Sequence, residues 1–202
     1  MKTIKNYISL FKFLSLLIMI SYLFLGIVNA ENNSFFIGKI NAPVKIKVFS
    51  SFTCPHCANF HTKVIPEIEK KFVNSGKVKI IFIDFPLDQA AFNASKLLNC
   101  IEKKNKMRFM DSIYKNQDQW TSGSDLNAIN NNLKKLLKDL NLNSVEFNKC
   151  INDEIISDKI LVERIKAQKK YSINSTPTIV INEKKLDNAD LESIKNKIEE
   201  LI

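Results

Sequence analysis

The sequence predicts an α/β sandwich with a long helical insertion, and three observations predict it. Strand-like apolar runs stand near both ends of the chain, at 44–49, 78–83 and 176–182. The first two are separated by one helical run, an arrangement that makes them parallel neighbours joined by a right-handed crossover. Between 88 and about 170 there is no comparable run, only helical spacing. Strands at both ends around a helical block place the sheet in one layered core and the block outside it.

Each element has its own signal. Residues 31–41 read as a loose lead-in. "VKIKVF", 44–49, alternates apolar residues with lysine and reads as a strand, although the lysines are wet for a central position. From Pro55 to about Asn74, Phe60, Val64, Ile68 and Phe72 recur every four residues, which predicts a helix. Pro66 lies inside it, where a kink is expected. "VKIIFI", 78–83, is nearly continuous apolar sequence and predicts a buried strand. In the block that follows, "QAAFNASKLLNCI" and "RFMDSIYKNQDQW" have helical spacing. Ser124 or Asp125 is placed to cap the next helix, Asn143 or Ser144 another, and 158–170 a further one. "TPTIVIN" is a strand opened by a proline, "NEKK" a turn before a short strand, and Asp190 to Leu201 a last helix.

The N-terminus differs from the rest. Lys2, Lys5 and Lys12 precede an apolar run, Phe13 to Val28, that ends in Val28-Asn29-Ala30 before Glu31. This is the layout of a secretory signal peptide cleaved after Ala30; an uncleaved membrane anchor is the alternative. The whole chain carries +9, so without those three lysines it carries 9 − 3 = +6. The lysines are spread along helices and not interleaved with aromatics, so the charge reads as solvated surface. No nucleic-acid partner is expected.

Four cysteines, Cys54, Cys57, Cys100 and Cys150, all lie after the leader. In an exported chain an even count invites pairing, and spacing favours Cys54–Cys57 and Cys100–Cys150. "TCPHC" places Cys54 after a strand and at a helix start, where unpaired N–H groups and the helix dipole favour a thiolate. Pro55 suits the first helical position. His56 sits between the thiols and can tune them; Cys57, one turn in, is placed to resolve a mixed disulfide. A lowered thiol pKa makes the disulfide more oxidising. Three readings of the pair remain: a redox disulfide, half of a metal site completed by His56 and His61, and an inert staple. So short a loop gains little as a staple, and zinc normally draws a second ligand pair from elsewhere. The redox reading is favoured. His61 reads as a surface helix residue more than a site residue.

With these residues in view, the sequence resembles the exported thiol–disulfide oxidoreductases of the DsbA family. The resemblance runs from "NAPVKIKVFSSFTCPHC" through "FIDFPLDQAAFNASKLLNC" to "STPTIVINEKKL". It implies a thioredoxin-like fold with an inserted helical domain. The expected organisation is a signal peptide over 1–30, a thioredoxin-like domain from 31–86 and 155–202, and the insertion over 87–154. It further implies a redox disulfide of Cys54 and Cys57, a cis bond at Thr176-Pro177, and a substrate groove shaped by those two residues, where an extended peptide could pair. Many relatives carry a buried Glu six residues before the first cysteine; here that position is Val48.

The resemblance implies an exported donor of disulfides, in the periplasm or held at the inner membrane by its leader, acting as a monomer without a cofactor. Its partners would be reduced or unfolded exported polypeptides, with a quinone-linked membrane protein of DsbB type reoxidising it. A disulfide isomerase or reductase of the same fold is the alternative, and a metal-binding or chaperone module the alternative of another class. Isomerases of this fold usually carry a dimerisation segment, for which 31–43 is too short. Cys100 and Cys150 are expected to form a structural disulfide. Closing about fifty residues would contribute about 4 kcal/mol in the chain-entropy account. Two buried thiols are the alternative.

Overall fold

The computed structural model of the chain describes residues 34–138 and 144–202. The leader expected over 1–30 and the cap expected at Asn143 lie outside them. Phe35–Ile202 form one compact unit. Among the described residues, no helix is long and apolar enough to cross a membrane.

Five strands form one sheet: β1 (Phe35–Ile37), β2 (Val44–Ser50), β3 (Val78–Asp84), β4 (Thr178–Ile181) and β5 (Lys184–Lys185), in the order β1-β3-β2-β4-β5. β2 and β3 are parallel, from Val44 opposite Val78 to Ser50 opposite Asp84. β4 is antiparallel to β2, with Val48 opposite Ile179. The connection from β2 to β3 is α1, a continuous helix over 55–73. Its α-helical stretches Pro55–Asn59 and Ile65–Ile68 alternate with π-helical turns Phe60–Val64 and Glu69–Val73. The distortion expected at Pro66 takes the form of widening: Ile65 N–H bonds back to Phe60 O, so the turn before the proline holds an extra residue.

The loose lead-in expected over 31–41 is corrected, because it contains β1. Phe35 pairs with Phe82 and stacks on its ring at 5.6 Å. Three residues are too few for a visible alternation, so the sequence carried little sign of this edge strand. Gly38 then turns the chain at φ +96°, where a Cβ would stand 2.5 Å from Val78 O. The turn expected over "NEKK" is also shorter than read. Asn182 and Glu183 alone make it, both at positive φ, and Lys184 already belongs to β5.

The helical block comprises α2 (Gln89–Cys100), α3 (Lys106–Lys115), α4 (Gln117–Thr121), α5 (Leu126–Leu137) and α6 (Ser144–Ile151), followed by α7 (Glu154–Tyr171). Asp88, Asp125 and Asp153 cap α2, α5 and α7 by accepting from backbone N–H groups. Leu97, Phe109, Ile113, Trp120, Leu133 and Phe147 are buried and continuous with the sheet face that carries Val44, Ile46 and Val48. Cys100 and Cys150 are joined by a disulfide, tying α2 to α6 with a Cα–Cα distance of 6.0 Å. The last helix, α8 (Leu191–Leu201), returns Ile194 and Ile198 to the same core.

The other face of the sheet carries a smaller cluster of Phe49, Phe85, Ala167, Ile173 and Val180. Here the wet-looking strand is explained. Lys47 is buried in central β2, and its ammonium donates to Glu183 at 2.6 Å and to Tyr171 Oη at 3.2 Å. The alkyl stem of lysine can lie along apolar surface while its charged end meets a carboxylate. Partial burial raises the Glu183 pKa, but hydrogen bonds from Lys170, Lys47 and Tyr171 outweigh it and hold the carboxyl down at about 2. A depressed folded pKa adds stability above the unfolded carboxyl's pKa, and that stability is lost as pH falls towards 2. Glu183 is half exposed, so solvent screening reduces the effect. Glu183→Gln should lower unfolding stability by about 1 kcal/mol at pH 7 and by less at pH 3, read by urea denaturation at both pH values.

Candidate active site

The site lies where β2 ends and α1 begins. Ser51 O accepts from Cys54 N at 3.2 Å, which turns the chain out of the strand. Cys54 is the N-cap of α1, with extended backbone (φ −81°, ψ 117°), and Pro55 is the first helical residue. Proline belongs there because its missing N–H has no partner to lose. Cys54 O accepts from Cys57 N at 3.0 Å and Ala58 N at 3.1 Å, so the two cysteines share one helical turn. Both are free thiols.

The two thiols are not equivalent. Cys54 retains 8 % exposure and Cys57 1 %. The Cys54 thiol donates to Thr176 O at 3.2 Å, and the Thr176–Pro177 bond is cis. The 122 residues that separate Cys54 from Thr176 are therefore closed to contact distance. The Cys57 thiol is pushed up to about 12 by burial. His56 is exposed in the first turn of α1, and Pro177 is half-buried beside the thiols' partner Thr176. Val48 is a core residue, 2 % exposed.

The expectation that His61 lies on the surface is overturned. It is 5 % exposed, with its ring 4.8 Å from that of Tyr114 and its Nε2 2.7 Å from Asp111 Oδ1. A position seven residues after Cys54 falls on the same helix face as Cys54, and α3 covers that face. His61 is thereby tied to Asp111 on α3. Among the described residues, no three or more His, Cys, Asp or Glu side chains are grouped to hold a metal ion.

Sequence reasoning passed over three polar groups around the pair. Gln117, buried on α4, donates from Nε2 to Phe52 O at 2.7 Å and Cys54 O at 3.1 Å. Asp88 accepts from Thr53 Oγ1 at 2.6 Å while capping α2, and so joins the cysteine loop to the helical block. Its capping position ahead of "QAAF" was a usable signal; Gln117, in a polar run, had none. Asp84 is the ladder partner of Ser50 at the end of β2. Burial raises the Asp84 carboxyl to about 6, against a hydrogen bond from Asn99 Nδ2 at 3.0 Å that lowers it.

A thioredoxin-like fold with two vicinal cysteines at a helix start defines a class of thiol–disulfide proteins. The family model described as Thioredoxin matches residues 30–200, and the chain belongs to that family, among its DsbA-type members. The crystal structure of Wolbachia pipientis alpha-DsbA1 superposes with a TM-score of 0.75 at 31% identity, covering 84% of this chain and 91% of that one. Disulfide bond formation protein D of Bacillus subtilis is 25% identical over 81% of this chain and 74% of its own length. A Rickettsia bellii protein, named provisionally as a protein-disulfide oxidoreductase, is 26% identical over 85% of this chain. The chain spans 66% of that relative's length and 62% of a Rickettsia typhi counterpart's.

Two outcomes test this electrostatic picture. In the reduced protein at pH 7, iodoacetamide should label Cys54 and leave Cys57 unmodified until the chain is unfolded, as read by peptide mass mapping. Equal labelling of both in the native state would contradict the burial of Cys57. For Asp84, a folded pKa raised above the unfolded value means that stability is highest in acid and falls as pH rises from about 4 through 6. Asp84→Asn should therefore gain about 1–2 kcal/mol at pH 7.5 and close to nothing at pH 4, measured by denaturant titration.

Proposed function

We propose that this chain is an exported thiol–disulfide oxidoreductase that donates the Cys54–Cys57 disulfide to reduced polypeptides outside the cytoplasm. The asymmetry of the two thiols carries this reading: Cys54 is at the helix start against Thr176 O, while Cys57 is sealed behind it.

In the donating direction, a substrate thiolate attacks Cys54 Sγ of the disulfide. The Cys54–Cys57 bond breaks, and its electron pair leaves on Cys57 Sγ, which takes up a proton. A second substrate thiolate then attacks the substrate sulfur of the mixed disulfide. The bond to Cys54 breaks, Cys54 leaves as a thiolate, and the substrate keeps the new disulfide. Two electrons have passed from the substrate to the pair. The helix start stabilises the departing Cys54 thiolate. Burial keeps Cys57 protonated at neutral pH, so it returns slowly to attack the mixed disulfide, and this favours completion by the substrate's own second thiol.

Thr176 and Pro177 border Cys54 and are the residues against which a substrate peptide would lie, with His56 tuning the pair from the exposed side. The Cys100–Cys150 disulfide serves stability and takes no part in the exchange. Reoxidation calls for an electron acceptor, for which a quinone-linked membrane protein of DsbB type fits. The signal-peptide layout of 1–30 and the cysteine count support a periplasmic site of action.

Equilibration with glutathione tests the direction. A donor should have a potential near about −120 mV, and a value near about −270 mV, as in a thioredoxin-type reductant, would reverse the proposal. Cys54→Ser should abolish oxidation of a reduced test protein, and Cys57→Ala treated with oxidised glutathione should retain glutathione as a mixed disulfide on Cys54, seen as a mass adduct.

A further inference from the structure

We infer that Gln117, contributed by the helical block, is a positioning residue that sets the oxidising power of the Cys54–Cys57 pair. The inference rests on the redox reading above. Both carbonyls that flank Thr53, those of Phe52 and Cys54, point to the single Gln117 Nε2, at 2.7 and 3.1 Å. The side chain is buried, 6 % exposed. Its helix is anchored by Trp120, 1 % exposed, whose indole N–H donates to Ile113 O at 3.0 Å. The carboxamide is therefore a fixed clamp on the last turn of chain before α1.

The clamp acts unequally on the two redox states. In the disulfide, the S–S bond itself holds Cys54 against Cys57. In the dithiol that tether is gone, and hydrogen bonds alone keep the Cys54 backbone where the first-turn dipoles face its sulfur. Gln117 thus stabilises the reduced state more than the oxidised one, and a more stable reduced state is a stronger oxidant. A purely structural glutamine would stabilise both states alike and leave the potential unmoved.

The test compares the full chain with Gln117→Met, which keeps length and loses both donors, and with Gln117→Glu. Gln117→Met should shift the glutathione equilibrium on the order of tenfold toward the disulfide form, about 30 mV more reducing for this two-electron couple. Gln117→Glu should approach the parent's potential in acid, where the introduced carboxyl keeps one donor, and depart from it as that carboxyl ionises. A folded Gln117→Met variant whose glutathione equilibrium matches the parent's overturns the inference. So does failure of both variants to fold, which would make Gln117 a determinant of the fold instead. If the parent itself shows no dithiol–disulfide equilibrium with glutathione, it is the redox reading that fails.

Discussion

One carbonyl oxygen organises the site. Cys54 O accepts from Cys57 N and Ala58 N, which starts α1, and from Gln117 Nε2, which binds that start to the helical block. A helix N-terminus leaves backbone donors without partners, and a sulfur placed there is the group they can stabilise. The strand-to-helix turn thus opens the crossover helix between parallel β2 and β3 and sets the less buried thiol apart from the more buried one. The thiol asymmetry follows from this geometry, since Cys57 lies one turn further into the core.

The sheet supports that turn by dividing the interior in two. One face packs the apolar side of α1 and the helical block in a single continuous core, so the block that supplies Gln117 and Tyr114 shares its packing with Cys54 and Cys57. The other face is smaller and tolerates a charge. Lys47 there reaches Glu183 and Tyr171, and Phe49 packs against Tyr171 at 5.6 Å. Paired with a carboxylate at the hairpin, a lysine costs little in the central strand, although an unpaired buried ammonium would be costly. Thr53 and Asp88 then link the cysteine loop to the cap of α2, so both ends of the insertion's first helix are tied down: one to the loop, the other by the disulfide to α6.

Much of this was legible in the sequence because it depends on local pattern. The apolar repeat Phe60, Ile68, Phe72 announced α1, the run 78–83 announced β3, and "TCPHC" announced a thiol pair at a helix start. What was not legible depended on partners far along the chain. β1 is three residues long and exists through its pairing with β3. His61 looked exposed because its face of α1 looked free, but α3 covers it, fifty residues later in sequence. Gln117 carried no signal at all, since a glutamine in a polar helical run reads as solvated until its carbonyl partners are known.

By itself, the sequence determined the order of β2, β3, β4 and the main helices, the cysteine spacing and the proline at the helix start, because these follow from preferences that act within a few residues. The tertiary structure alone decided that Thr176 O meets Cys54 from 122 positions away, that α3 covers His61, that Lys47 finds Glu183, and that Gln117 holds the loop. The reason is physical: burial, a hydrogen-bond partner and a shifted pKa are properties of a place in space. Local sequence preferences cannot say which distant residues will share it.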